Sequence, residues 1–339
     1  MLFQPAIIAL LLASGVSVLL LAAIAPFAWE LIRRWDIASG SERQLRLERR
    51  TYLISTLLAF VFATQLAALL LYVFNADKMA VMFVGAMCAV GTLNANAYGF
   101  PALLAQIGVF FLAAAWLTLN HADSRAHDYP LVRVKYALLL GILPFVALAF
   151  GLQLNYFLNL EADVITSCCG SLFSGDAKTL SGDAAALEPK PALALFYGAL
   201  ALAVAAAGYR STAREGRGAA FGGYLVALFS AIAFAATLAG ILSFLSLYVY
   251  EHPHHHCPFC LLKPDYDYQG YWLYIPLFTA TAAGLGAGAL QPFARVPSLT
   301  GIAPRIARRL SGIAALGFAL TGAVATFMIW RSNLILIEG

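Results

Sequence analysis

Between Glu251 and Tyr271, four of the chain's six histidines and two of its five cysteines fall within nine residues, His252 to Cys260. The Cys-x-x-Cys spacing of Cys257 and Cys260 suits two chemistries. As a thiol pair, one sulfur attacks a disulfide and the other resolves the mixed intermediate. His256, directly before Cys257, is placed to lower the thiol pKa, and Pro258 suits the first turn of a helix whose N–H groups would do the same. As thiolates, the same two sulfurs are soft ligands. His252, His254, His255 or His256 then completes a set of two sulfurs and one or two imidazole nitrogens for Zn(II) or Cu(I). The run is internal and only three histidines are consecutive, so it does not read as a purification tag. Tyr266, Tyr268, Tyr271, Trp272 and Tyr274 follow closely. They read as an interfacial aromatic belt, or, at Tyr271 and Trp272, as a rim for a quinone ring or a docking protein.

The other three cysteines are scattered. Cys168 and Cys169 lie in a segment, 159–190, that is rich in Gly, Ser and Asp and has no periodicity, so it reads as a long loop. Adjacent cysteines bridge one another only with strain, and strained disulfides are the labile ones. Exchange with Cys257 or Cys260 is one use for them, and ordinary structural bridges are another. Cys88 sits in an apolar run, 79–93, too short to cross a bilayer and followed by Asn94 and Asn96. The segment 76–100 thus reads as re-entrant or interfacial, with Cys88 either presented to the interior on a half-helix or packed as a small hydrophobe.

A helix bundle with Cys-x-x-Cys at the edge of a span and a second cysteine pair in a loop resembles the membrane thiol oxidoreductases of the vitamin K epoxide reductase and bacterial disulfide-forming quinone reductase type. The resemblance implies that Cys257 and Cys260 pass electrons to a bound quinone. It likewise implies that Cys168 and Cys169 exchange with partner proteins.

What must position these residues is set by composition. The chain has 339 residues, 62% hydrophobic and 11% charged, against roughly a quarter charged in soluble domains. That excludes a soluble enzyme and a disordered regulator. Eight apolar stretches of spanning length occur at about 6–29, 52–74, 101–119, 136–157, 191–208, 219–249, 271–290 and 311–330. Only helices satisfy their own backbone in lipid over such lengths, so the expected fold is a single all-α polytopic membrane domain, 1–339. Eight spans also allow a four-plus-four parallel repeat. One positional echo supports it: Cys88 precedes Gly99 by 11 residues and Cys260 precedes Gly270 by 10.

Sixteen of the 21 Lys and Arg residues fall on alternate connectors, 33–50, 121–135, 209–218 and 292–310. The positive-inside rule then places both termini, and all five cysteines, on the outer side. Arg33 and Arg34 follow the first apolar run rather than precede it, which is the wrong order for a cleaved signal peptide. In a Gram-negative cell this is an inner-membrane protein with its sulfurs at the periplasm, a compartment that permits disulfides. The net charge of +4 is distributed over these anchors, so nothing points to nucleic acid. Lipid, a periplasmic or extracellular protein and the other subunits of a membrane complex are the expected partners. No acidic or basic residue lies near mid-span, which argues against an ion-driven pump. Gln65, Gln106, Gln153 and Asn155 read as interhelical hydrogen-bonding groups. Two functions follow: a membrane thiol–disulfide redox protein with Cys257, Cys260, Cys168, Cys169 and His256 at work, or a protein that binds or transports Cu or Zn.

Overall fold

The computed structural model describes residues 4–161, 180–213 and 219–336; Cys168 and Cys169, with most of the loop 159–190, lie outside the described residues. The described chain is helical throughout: α1 (Pro5–Arg34), α2 (Glu42–Met79), α3 (Ala89–Leu93), α4 (Gly99–Asp123), α5 (Val132–Leu158), α6 (Leu180–Ala185), α7 (Pro189–Thr212), α8 (Ala219–Gly240), α9 (Ser246–Tyr250), α10 (Gln269–Leu290) and α11 (Ala303–Arg331). Eight helices are long and apolar enough to cross a membrane, counting α8 and α9 as one span. They coincide with the eight apolar stretches of the sequence, and the molecule is an integral membrane helix bundle in class.

The bundle divides into two compact units with four spans in each. The first comprises residues 1–75, 93–162 and 292–306, and the second 76–92, 163–291 and 307–339. The boundary is not a simple cut in sequence. Residues 76–92, which carry Cys88, belong to the second unit although they lie in the first half of the chain.

In the first unit α5 packs against both α1 and α4. Its core is filled by Leu21, Leu31, Phe62, Trp116, Tyr136 and Leu139, all buried, with the Phe62 and Trp116 rings 4.8 Å apart. Gln153 acts as expected of a polar residue in a span: its Oε1 accepts from the Ser14 hydroxyl at 3.0 Å and ties α5 to α1. At the basic end a buried ion pair closes the α4–α5 hairpin. Lys135 Nζ lies 2.7 Å from Asp123 Oδ2 and donates to Asn120 Oδ1 at 3.0 Å, while Asp123 Oδ1 accepts from the Leu131 amide at 2.7 Å. Arg133 donates to the Trp35 carbonyl at the same end. At the opposite end Tyr72 donates to the Gly99 carbonyl and Asn96 to that of Tyr156.

In the second unit α8 packs against α7 and α10. Small residues permit the approach: a Cβ at Gly284 would collide with the Ser230 side chain. Between α8 and α9 the helix widens to a π turn at Ile241–Leu245. Such a turn breaks the regular i→i−4 ladder, and it lies directly behind the cysteine loop.

Candidate functional site: a buried cysteine triad

The loop that follows α9 is built to hold Cys257 and Cys260 inward. Glu251 ends α9 in the left-handed region, at φ 52°, which turns the chain sharply. His256 Nδ1 then donates to the Leu242 carbonyl, in the π turn, at 2.7 Å. Tyr250 Oη donates to the Cys257 carbonyl at 2.5 Å, and Tyr274 Oη to the Pro258 carbonyl at 2.7 Å. Two phenols and an imidazole therefore fix the backbone on either side of the first cysteine. Cys260 opens a short 3₁₀ turn, Cys260–Leu262. This turn lies so close to the start of α10 that a Cβ on Gly270 would stand 3.0 Å from the Leu261 carbonyl carbon. Glycine is required there by the approach itself.

Cys88 reaches the same place from the other side of the sequence. The expected single helix over 79–93 is not formed. Instead α2 runs to Met79 and a 3₁₀ turn follows at Ala80–Met82. The chain reverses through Gly85 at φ 86°, a conformation that ends any helix, and α3 begins at Ala89. Cys88 stands immediately before α3, and its two flanking peptide groups are both held. Lys263 donates to the Met87 carbonyl, and the Ala89 amide donates to the Asp77 carboxylate. Since Lys263 lies three residues after Cys260, the same short segment carries one sulfur and anchors the backbone of another.

The result is a triad. The Cys88 and Cys257 sulfurs are 3.4 Å apart, and all three sulfurs of Cys88, Cys257 and Cys260 lie within 4.8 Å of one another. Cys88 and Cys257 are 0% exposed and Cys260 is 5% exposed. A metal bound tetrahedrally with sulfur bonds of about 2.3 Å needs ligands about 3.8 Å apart, so three thiolates at these separations can close on one ion with small side-chain adjustments.

The histidines take other roles. Among the described residues, no imidazole nitrogen joins the three sulfurs within 4.8 Å. His252 and His254 are exposed, with the His254 amide donating to His252 Nδ1 at 3.3 Å. His255 stacks on Tyr250, ring centroids 4.1 Å apart. His256 is half-buried; that burial first, and the neighbouring His254 and His255 after it, hold its pKa below the ordinary histidine value, while the bond to Leu242 pulls the other way. Because a carbonyl only accepts, Nδ1 carries the proton in that bond. The expected helix beginning at Pro258 is not formed: that residue sits in a bend, so no helix N-terminus stands at Cys257.

Tyr271 and Trp272 occupy the first turn of α10, with Trp272 69% exposed and Tyr271 at the exposed limit. Tyr266 lies closer to the sulfurs. Burial, then the charges of Cys260, Asp265 and Cys257, push its phenol above the ordinary tyrosine value.

Cys88 is the residue that spacing could not assign to the site. The available signals were its side of the membrane and the shortness of its apolar segment; its approach to Cys257, 169 residues away, depends on the packing of residues 76–92 into the second unit. The chain matches no known family, no curated protein and no solved structure, so the site is read from its own geometry.

Proposed function

We propose that this membrane protein binds a soft metal ion, Cu(I) or Zn(II), on the thiolates of Cys88, Cys257 and Cys260. The observation that carries the reading is the third sulfur: a dithiol redox centre needs two, whereas three inward-facing sulfurs within 4.8 Å are a ligand set. Burial favours the same reading. Thiol exchange with a protein requires an accessible sulfur, while a bound ion takes the place of the thiol protons and is held by the three sulfurs as thiolates. Orientation by the positive-inside rule puts the site at the outer face, where the protein receives or delivers its ion through an exterior or periplasmic partner.

The test is metal analysis of protein purified after exposure to Cu(I) or Zn(II), with Cys88→Ser beside the wild type. The reading requires one ion per chain in the wild type and loss of stoichiometric binding in Cys88→Ser. Equal retention by both removes it.

A second reading is supported by the 3.4 Å contact between Cys88 and Cys257. In it the two thiols give up two electrons and two protons to form a disulfide, and a quinone held near Tyr271 and Trp272 takes both as it becomes the quinol. Cys260 then serves as the resolving thiol. Acid trapping followed by alkylation distinguishes this case by a Cys88–Cys257 disulfide in membranes.

A further inference from the structure

A cavity of about 290 Å³ opens among the ends of α9 and α11 and the loop before α10. Glu251, Asp265 and Asp267 line it, opposed by the single guanidinium of Arg331. Its remaining walls include Tyr250 and Tyr266, whose rings are 4.5 Å apart. The volume is enough for several waters, and the lining is negative. On its far side Tyr250 touches the triad's own backbone, through the 2.5 Å bond to the Cys257 carbonyl. One tyrosine side chain thus lies between a wet acidic cavity and a buried sulfur ligand.

We propose that this cavity is the access passage of the triad, admitting cations and repelling anions, with Tyr250 as its gate. The proposal rests on the metal reading for its purpose and on the cavity for its geometry. Carboxylates around a passage raise the local concentration of cations and speed their arrival. They need not coordinate the ion at rest: Glu251 accepts from the amide and side chain of Asn333 at 2.8 and 3.1 Å, and Asp267 pairs with Arg331 at 3.4 Å. These bonds hold the end of α11 and the residues after it along the cavity wall. The hydroxyl of Tyr250 ties the gate to Cys257, so movement of the ring and movement of the ligand backbone are one event.

The experiment measures modification of Cys257 and Cys260 in the full-length, metal-free protein. Two methanethiosulfonates of similar size are used at low salt, one cationic and one anionic, with peptide mass spectrometry as the readout. The passage predicts that the cationic reagent reacts faster by roughly 10-fold or more. It also predicts that the ratio collapses toward one in Asp265→Asn/Asp267→Asn, and that Tyr250→Phe, which keeps the ring but cuts its tie to Cys257, speeds both reagents without altering their ratio. Equal rates in the wild type, or an unchanged ratio in the double variant, overturn it. Stoichiometry measured with Ag(I) in parallel separates the two claims. One ion per chain with no charge preference in labelling overturns the passage and keeps the site; a clear preference with no bound ion overturns the metal reading and keeps the passage.

Discussion

Cys88 has two flanking peptide groups held by two charged side chains, and on the proposed metal reading these side chains position it as a ligand. Lys263 holds the Met87 carbonyl and Asp77 holds the Ala89 amide. Removing groups that hold a metal ligand in place costs roughly 10- to 100-fold in affinity. Lys263→Met is therefore expected to weaken metal binding by about that factor while one ion per chain is still bound at saturation, and Lys263→Arg is expected to restore much of the loss; chelator competition on the purified protein measures both. The histidines give the opposite expectation. Because His252 and His254 are exposed and stand apart from the triad, His252→Ala/His254→Ala is predicted to leave affinity within about two-fold of the wild type by the same competition. Their density in sequence made them the most conspicuous ligands. Spacing reveals which residues are close along the chain, and the Cys257 and Cys260 sulfurs do lie within 4.8 Å of each other; the direction in which each imidazole leaves the loop depends on Glu251, Tyr250 and the π turn.

At the scale of elements, the spans were legible because each needs about 20 apolar residues and nothing else in a chain resembles that. The segment 76–100 was harder. Its apolar run favours a helix, but Gly85 at φ 86° divides it, and a glycine's φ is decided by surroundings that sequence does not display. The α4–α5 hairpin offers a comparable lesson. Lys135 was counted with the charges of an inner connector, yet it is 2% exposed against an Asp123 that is wholly buried. Breaking such a pair leaves a charge without its partner, so Asp123→Asn is predicted to cost about 3–5 kcal/mol in unfolding of the detergent-solubilised protein. Pairing Asp123→Asn with Lys135→Met is predicted to recover most of that loss, because neither charge then remains buried.

At the scale of the molecule, the four-plus-four count of spans corresponds to two compact units, and the sulfur chemistry is gathered within one of them. Among the described residues, the second unit gains its third cysteine by including residues 76–92 from the first half of the chain, an exchange no periodicity announces. Arg33, Arg34 and Arg133 lie at one end of the first unit and Arg210 and Arg308 at one end of the second, while Arg331, Lys263 and the triad lie at the second unit's opposite end. Orientation by these charges predicts that alkaline phosphatase fused after residue 336 is active outside the cytoplasm, and that the same enzyme inserted in the connector 292–302 is inactive. Activity in the connector alone would reverse the orientation.

If three sulfurs from two distant segments act as one ligand set, X-ray absorption at the metal edge of the copper-loaded protein will show a first shell of three sulfur atoms in the wild type, falling to two in Cys88→Ser. A shell dominated by nitrogen or oxygen, or one unchanged by Cys88→Ser, would contradict it.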